Sequence, residues 1–231
     1  MTVLALRLAG PMQSWGSASR FVRRTTEIAP TKSGVIGLIA AAQGRRRTDE
    51  IEDLLQLKFA IRIDQPGTMV RDFQTAIPAK GKPLPLSYRF YLGDAIFLAL
   101  LEAETELLEG IADSIRNPTF PLYLGRRACP PAGPLVIGLR DAPIEDILRT
   151  EPWQAARWHR RKLGDPAEIA LMTVVDCDPR DAEAETLHDN PISFDPQRRE
   201  YRWRSVLRRQ EILINRVVQR PSDSHDPMNA L

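Results

Sequence analysis

The stretch PTKSGVIGLIAAAQG, residues 30–44, decides how the first half of this chain folds. Its large apolar side chains are Val35, Ile36, Leu38 and Ile39. On a helix from about residue 33 to 43 they would cover almost every side, and a helix that is apolar all round is buried. Thr31 or Ser33 is suited to cap its first turn, because a side-chain oxygen there accepts a hydrogen bond from a free N–H group.

Strand and helix patterns continue on both sides of this buried helix. TVLALRLAG (2–10) and KFAIRID (58–64) alternate as strands, and TDEIEDLLQL (48–57) predicts a short helix with Thr48 as its N-cap. The next expected elements are a strand over 94–103, a helix over 105–117 and a strand over 135–141. The order strand, helix, strand, strand, helix, strand predicts an α+β, ferredoxin-like fold, which RNA-recognition domains share.

Two segments add to this ferredoxin-like part, which is expected to span residues 1–145. Residues 65–92 connect the second and third strands and are rich in Pro and Lys. Since a hairpin connection usually needs about two to five residues, this one is expected to project. Residues 146–218 predict a smaller β-rich module, with strands near 168–178, 190–194 and 199–213, and residues 219–231 predict a disordered tail.

Composition narrows the functional class. The chain has 231 residues, and no apolar run in it is long enough to span a membrane. Two cysteines without an export signal indicate a cytoplasmic protein with reduced thiols. The cysteines and histidines lack the spacing of a metal site, so neither a metal nor another cofactor is expected.

Charge is distributed unevenly along the chain. The formal net charge is only +2. Acids concentrate at 49–53 and 176–189, and arginines cluster at 20–24, 45–47, 125–127, 157–162 and 198–209. Separated patches of opposite sign allow one face to bind a polyanion while another stays hydrated. Each basic cluster is equally compatible with an ordinary solvated surface.

The start of the buried helix suggests an anion site. It is not a nucleotide-binding P-loop, because Lys32 and Ser33 precede Gly34 and no glycine lies between residues 17 and 33. Free N–H groups at a helix start attract an anion, and Lys32 adds a positive charge beside them. Lys32 and Ser33 are therefore expected to hold one phosphate. The alternative is a capped core helix whose Lys32 points to solvent.

A glycine-edged segment carries further candidate ligands. YLGRRACPPAG (123–133) places Arg126 and Arg127 between two glycines, which permit close approach of the backbone to a ligand. Arg forks onto phosphate or stacks on a base, and Tyr123 offers a ring for stacking. The alternative is a surface loop with two solvated arginines.

Aromatic side chains also occur beside basic residues elsewhere. Arg89 lies within SYRFYLGD (87–94), at the base of the long connection. Trp15 is expected to pack against the sheet, with stacking on RNA as the alternative. On the strand near residue 201, the aromatic residues Tyr201 and Trp203 are expected to face the core, and the intervening Arg202 and Arg204 are expected outside.

Catalysis has weak support in the sequence. The histidines are His159, His188 and His225, all beyond the ferredoxin-like part, whereas metal-independent RNA cleavage usually needs a His as general acid or base. An endoribonuclease that uses Tyr and Lys, or His159, is the alternative. A free-standing regulator with an RNA-recognition fold is disfavoured, because two of the expected strands offer only Phe59 and Phe97 for stacking.

Several segments together carry a family resemblance: LRLAGPMQSWG (6–16), PTKSGVIGLIAAAQG (30–44), FAIRID (59–64), RDFQTA (71–76), YLGDAIF (91–97) and YLGRRACPPAGPL (123–135). From residue 2 to about 140 the chain resembles the Cas-five-type subunits of type I-E CRISPR surveillance complexes (Cascade), which are repeat-associated (RAMP) proteins. The resemblance implies a ferredoxin-like domain with a thumb over about 65–92. It also implies a non-catalytic subunit that grips the 5′ handle of the CRISPR RNA and caps one end of the complex.

The resemblance further implies partners and site residues. The partners are CRISPR RNA, CasC-type backbone subunits, the CasA-type large subunit and, indirectly, target DNA. Related type I-C subunits cleave precursor RNA, which is the main alternative. No catalytic residue and no metal ligand is expected. The residues expected to face RNA are Arg20, Arg24, Lys32, Ser33, Arg89, Tyr123, Arg126 and Arg127.

Overall fold

The computed structural model describes residues 2–16, 23–79, 81 and 83–215, and the predictions for Arg20 and for the tail 219–231 lie outside them. Its strands are β1 (Thr2–Ala9), β2 (Met12–Gln13), β3 (Arg23–Arg24), β4 (Lys58–Gln65), β5 (Thr68–Gln74), β6 (Ser87–Gly93), β7 (Ile96–Ala103), β8 (Val136–Arg140), β9 (Glu168–Asp176), β10 (Glu185–Ser193) and β11 (Glu200–Ile214). Its helices are α1 (Lys32–Ala42), α2 (Glu52–Leu55), α3 (Thr105–Arg116), α4 (Ile144–Thr150) and α5 (Arg157–Lys162). Among the described residues, no helix has the length and apolar character that a membrane crossing requires.

A seven-stranded sheet forms the centre of the structure, in the order β10-β11-β9-β4-β7-β1-β8. Each neighbouring pair of strands is antiparallel. The six predicted elements are present in the predicted order as β1, α1, β4, β7, α3 and β8. The expected α+β class is confirmed, and its main element is a large antiparallel sheet.

The C-terminal strands extend this same sheet. β9 pairs with β4, so that Ile61 lies opposite Val174 and Arg62 lies opposite Thr173. β11 pairs with β9, and β10 pairs with β11 at the outer edge. The segment after residue 146 is therefore rich in strands, and these strands share one hydrogen-bonded sheet with the preceding part of the chain.

The two faces of the sheet bury separate apolar clusters. Helices α1 and α3 cover one face, where Leu6 and Phe97 belong to the same cluster as Ile36 of α1. Helix α4 covers the other face, where Val3 packs with Ile147. Successive residues of a strand point to opposite faces of the sheet. When both faces are covered, both sets of side chains are buried and need to be apolar. This explains why β1 carries an almost continuous apolar run.

The buried helix expected at residues 33–43 is α1. Thr31 caps it, because its Oγ1 accepts a hydrogen bond from the Gly34 N–H at 3.2 Å. Trp15 is fully buried against this first turn, and its Nε1 donates to Gln13 Oε1 at 3.0 Å. The expected packing role of Trp15 is confirmed, and it fastens the start of α1 to the segment that follows β1.

The second expected helix is shorter than the sequence pattern indicates. α2 begins after Ile51 and not after Thr48. The Asp49 side chain accepts the Arg46 backbone N–H at 2.7 Å, while the Asp49 N–H donates to the Arg46 oxygen at 3.1 Å. These two bonds close a turn that includes Thr48, so Thr48 does not act as a helix cap.

An exposed ion pair holds α2 against this turn. Arg45 donates to the two carboxylate oxygens of Asp53 at 2.6 Å and 2.5 Å. The hydrogen bonds from Arg45 lower the pKa of Asp53, so the pair stabilises the fold at neutral pH and ceases to do so as the pH falls through the lowered pKa. Asp53→Asn is expected to lower the free energy of unfolding by about 0.2–1 kcal/mol at neutral pH. In urea titrations this difference should shrink from about pH 5 downward; a difference that does not change with pH would contradict the assignment.

A second, small sheet is built on the connection between β4 and β7. Its central strand is β6, which pairs with β5 along one edge and with β2 and β3 along the other. The connection over 65–92 therefore contains a hairpin, β5–β6. This hairpin and the residues that join its strands carry exposed apolar side chains, among them Phe73, which is 63% exposed, and Ile77.

The outer strands bury different side chains from those expected. Trp203 is 66% exposed, whereas Arg204 is buried. The guanidinium of Arg204 turns inward to Asp189 and Asp176. The expectation that Trp203 faces the core and Arg204 faces solvent is wrong, because two carboxylates on the inner face require a cation there.

Candidate nucleic-acid interface

The candidate site lies at one end of the large sheet. β1 and β4 end here and β7 begins here, since Ala9 and Gln65 are both paired with Ile96. The small sheet is inserted between β4 and β7 and therefore starts at this end. The loop 123–133 joins it through a hydrogen bond from the Ala132 N–H to the Ala9 oxygen at 2.9 Å.

Two of the expected arginines lie side by side on the small sheet. Arg24 in β3 is paired in register with Arg89 in β6, and Asp72 in β5 is paired with Arg89 on the other edge. Arg24 is exposed, and Arg89 is half-buried. The buried Nε of Arg89 has no hydrogen-bond partner among the described residues. Since no hydrogen bond of the Arg89 side chain is formed within the described part of the chain, the half-buried guanidinium keeps its terminal nitrogens for a ligand.

Gly125 sets the shape of the loop 123–133. Its φ angle is +87°, and a Cβ at this position would lie 1.9 Å from the backbone oxygen of Ser14. Glycine alone satisfies both conditions. The Ser14 N–H donates to the Leu124 oxygen at 3.1 Å, so the loop contacts the segment after β1 backbone to backbone.

Arg126 fastens this loop to the small sheet. Its guanidinium donates to three backbone oxygens, those of Phe90 at 3.2 Å, Arg24 at 2.8 Å and Thr25 at 3.1 Å. It also lies 5.1 Å from the centre of the Tyr91 ring, within the range of a cation–π contact. With both terminal nitrogens engaged, Arg126 positions the strand that carries Arg24.

Arg127 differs from its neighbour because it is exposed and makes no hydrogen bond or ion pair with the part of the chain that the structure describes. Tyr123 is half-buried in the same loop. The structure therefore brings together most of the expected set around β6 and the loop: Arg24, Arg89, Tyr123, Arg126 and Arg127.

The start of α1 does hold an anion, but that anion belongs to the protein itself. The Asp189 carboxylate accepts the Lys32 backbone N–H at 2.8 Å, where a phosphate was expected. The Lys32 Nζ donates to Asp176 at 2.9 Å, and Lys32 is only 5% exposed. Ser33 is buried as well. The structure does not support Lys32 and Ser33 as RNA ligands, because carboxylates from β9 and β10 already use the positive charge at this helix start.

Arg204 completes this internal charge cluster. It donates to Asp189 at 2.6 Å and 3.1 Å and also to Asp176. Burial disfavours its charge, but the hydrogen bonds and charges of the two carboxylates outweigh burial and raise the pKa of Arg204. The cluster ties the C-terminal strands to the start of α1.

The described histidines occupy aromatic surroundings. His159 lies between Trp153 and Trp158, with ring centroids 6.4 Å and 5.5 Å away. Burial lowers the pKa of His159, and the charge of Lys162 adds to this effect. The ring of His188 lies 4.8 Å from that of Trp203. Within the described chain, no hydrogen bond or ring contact joins either histidine to the arginines of the small sheet.

Sequence reasoning missed the contribution of β5. Arg71 lies 5.8 Å from the centre of the Tyr88 ring, and Phe73 is paired in register with Tyr88. The β-forming residues Thr68, Val70 and Phe73 in TMVRDFQ (68–74) are the signal that indicates this strand. The signal is weak, because the strand is exposed along most of its length and so lacks an apolar core face.

Cations that hold phosphates and rings that stack on bases are the two components of a single-strand interface. The small sheet carries both, but on opposite faces: Arg24 and Arg89 share one face, and Arg71 lies with Phe73 and Tyr88 on the other. The fold and the site together define the class of this protein: it is an α+β protein with a cationic, aromatic interface suited to a nucleic-acid strand.

The chain belongs to the CRISPR-associated protein (Cas5) family, whose model matches residues 3–207. It is 34% identical over 172 residues to the CRISPR system Cascade subunit CasD of Escherichia coli K12, a match that covers 64% of this chain and 77% of that protein. One solved structure, described as a Cas protein, shares 34% identity with a TM-score of 0.69 and covers 92% of this chain and 95% of its own. Another, a CRISPR RNA-guided surveillance complex, shares 32% identity with a TM-score of 0.75 and covers 92% and 91%. The expected family resemblance is confirmed.

Proposed function

We propose that this chain is a non-catalytic CRISPR RNA-binding subunit of a type I-E Cascade complex, which grips the 5′ handle of the RNA and caps one end of the complex in antiviral defence. The observation that carries the proposal is the similarity, over 92% of the chain, to a CRISPR RNA-guided surveillance complex. The 34% identity to the Cascade subunit CasD supports the type of complex. The arginines around β6 supply the chemistry that such a role requires.

The proposal includes a division of the chain. Residues 1–145 form a ferredoxin-like domain, since the order β4-β7-β1-β8 with α1 and α3 on one face is the arrangement of a split βαβ unit. The hairpin β5–β6, within 65–92, is its thumb. Residues 146–218 form a smaller β-rich module that is added to the domain at β4.

RNA contacts are assigned to the side chains with free donors. Arg24 and Arg127 are exposed, and Arg89 has an unpaired Nε. These three are proposed to contact phosphates or stack on bases, with Tyr123 as a stacking ring. Arg126 is proposed to act by positioning, because its terminal nitrogens already bond backbone oxygens.

Protein partners are proposed for the outer part of the thumb. Its exposed apolar side chains, including Phe73 and Ile77, suit contact with a neighbouring subunit, here a CasC-type backbone protein. A CasA-type large subunit at the same end would give this chain an indirect role in target-DNA binding. The subunit is proposed to act in the cytoplasm and without a cofactor.

The double variant Arg24→Ala/Arg127→Ala tests the RNA interface. Because two charge-assisted contacts of about 1.5 kcal/mol each are lost, we expect the affinity for a handle RNA to fall by about 100-fold and the log–log salt slope to flatten by about 1.4. Fluorescence anisotropy over a series of salt concentrations measures both. Arg46→Ala/Arg47→Ala removes the same charge from an exposed turn and should change neither.

Two results would count against the proposed function. Equal losses in the double variant and its control would show that the small sheet is not the interface. Specific cleavage of repeat RNA by the purified protein in EDTA, abolished by replacing His159 or Tyr123, would establish the endoribonuclease alternative instead.

A further inference from the structure

Helix α5 presents a group of cations that is not part of the interface on the small sheet. The exposed residues of this helix form two ridges at helical spacing, one with Arg157 and Arg161 and the other with Trp158 and Lys162. Trp158 is 54% exposed. The helix therefore places three positive charges around one accessible indole ring.

These charges are unpaired, whereas several other basic side chains of the C-terminal part of the chain are paired. Arg208 bonds Glu185, Arg209 bonds Glu183, and Arg149 of α4 bonds Glu211. In the described part of the chain, Arg157, Arg161 and Lys162 form no ion pair. Arg157 and Arg161 are like charges at i and i+4, and Arg157 opposes the helix dipole in the first turn, whereas Arg161 and Lys162 lie in the last turn, where the dipole favours them. The unfavourable charge for the helix itself is therefore Arg157.

The helix is nevertheless held firmly at both ends. At its start, the Ala156 N–H donates to Gln65 Oε1 at 3.0 Å, and the Gln65 amide donates to the Asp94 oxygen at 2.5 Å. At its end, Gly164 has a φ of +78°, and the Asp165 N–H donates to the Arg160 oxygen at 2.9 Å, which is a Schellman cap. Gln65 ends β4, so α5 is fixed at the same end of the sheet as the small sheet.

The buried side of α5 also fixes its rotation. The guanidinium of Arg160 lies 5.9 Å from the centre of the Trp153 ring, and its Nε is 3.5 Å from the Asp165 carboxylate. Trp153 is buried, and its Nε1 donates to the Asp64 oxygen at 2.7 Å. Arg160 is therefore the structural cation of the helix, and the three remaining cations and Trp158 face outward as a preformed surface.

We propose that this surface is a second nucleic-acid contact, at which Arg157, Arg161 and Lys162 follow the phosphates of a single strand and Trp158 stacks on one of its bases. Phosphate neutralisation with stacking on an exposed ring is how proteins bind single strands without reading their sequence. A duplex would use the charges but not the ring, because its bases are already stacked. The site does not depend on the assignment of the handle interface.

The test uses the full chain in the Arg24→Ala/Arg127→Ala background, so that the small sheet contributes little. The probes are a 15-nucleotide RNA, the DNA of the same sequence, and its duplex. Arg157→Ala/Arg161→Ala/Lys162→Ala should flatten the log–log salt slope for each single strand by about 2 and weaken binding by roughly tenfold or more. Trp158→Ala should weaken single-strand binding by about tenfold, and Trp158→Phe should restore most of it.

The controls separate this site from general electrostatics. Arg46→Ala/Arg47→Ala/Arg116→Ala removes the same charge elsewhere and should leave single-strand affinity within about twofold. Duplex binding should respond to the cation variant but not to Trp158→Ala. The single strand that is held more tightly identifies the natural ligand. Single-strand binding that is indifferent to Trp158, that falls equally in the control, or that is absent at low salt would overturn the proposal.

Discussion

Replacing Asp64 by Ala is expected to lower the free energy of unfolding by about 3–5 kcal/mol. Arg62 and Asp64 are both 0% exposed in their side chains, and they are joined by two hydrogen bonds of 2.7 Å and 2.9 Å. Truncation would leave the Arg62 guanidinium buried without its counter-charge, which is the most costly way to disturb such a pair. Since the total free energy of unfolding of a protein is roughly 5–15 kcal/mol, this substitution would remove a large fraction of the stability.

The environment of Arg62 explains why the loss cannot be relieved locally. Its remaining three N–H groups donate to the backbone oxygens of Leu148, Glu151 and Pro152 at 2.7 to 3.0 Å. All five donors of the guanidinium are therefore in use. Asp64 also accepts the Gln154 N–H at 2.6 Å. The pair thus anchors the segment that leads from α4 toward α5.

Asp113→Ala is the matched control for Asp64→Ala. Asp113 forms an ion pair with Arg116 on the exposed face of α3, and its side chain is 76% exposed. The control should lose less than about 1 kcal/mol, because surface pairs contribute little. Urea unfolding followed by circular dichroism measures both variants. Similar losses in the two variants, or a loss under about 1 kcal/mol for Asp64→Ala, would show that Arg62 finds another partner or reaches water.

Arg62 also shows where prediction from the sequence ends. The alternation in KFAIRID located β4 correctly, because a period of two is a property of the strand itself. The pattern suggests one apolar and one polar face. In the structure the polar face is buried too, since the 148–152 segment and its backbone oxygens lie on Arg62. Burial of that kind depends on residues far along the chain and leaves no local signal.

The start of α1 separates local from distant information in the same way. Its cap by Thr31 and its burial follow from neighbouring residues, and both were predictable. What occupies the free N–H group of Lys32 is the Asp189 carboxylate, 157 positions away. The sequence therefore indicated an anion at this helix start but not that the anion would come from the protein.

Arg126 and Arg127 show the same limit of sequence information within the interface. The sequence treats them as equivalent, since they are adjacent and of one type. In the structure, backbone oxygens of β6 and of the segment at residues 24–25 lie within reach of Arg126 only. Arg126 is engaged with backbone oxygens and Arg127 is exposed, a difference that only the folded loop determines.

Gly125→Ala is expected to weaken binding of a handle RNA by about 100-fold. A residue with a side chain at φ +87° costs about 1–2 kcal/mol, and the added Cβ would meet the Ser14 oxygen at 1.9 Å, so the backbone of the loop must move. Such movement takes Arg126 away from the three oxygens it bonds and displaces Arg127 with it. The two RNA contacts affected are those of Arg127, which moves with the loop, and of Arg24, whose strand Arg126 holds. At about 1.5 kcal/mol for each charge-assisted contact, their loss corresponds to about 100-fold in affinity.

Gly133→Ala provides the matched control, because a Cβ there meets no heavy atom within 4 Å. It should bind handle RNA within about twofold of the unmodified chain, since no backbone has to shift. Measuring unfolding in urea beside RNA affinity separates the two causes, because strain at Gly125 lowers stability whether or not the loop touches RNA. A Gly125→Ala variant that is destabilised yet binds RNA as well as Gly133→Ala would support the strain assigned to position 125. The same result would exclude this loop from the RNA interface. A variant that loses neither property would show that the contact between Gly125 and Ser14 does not determine the loop.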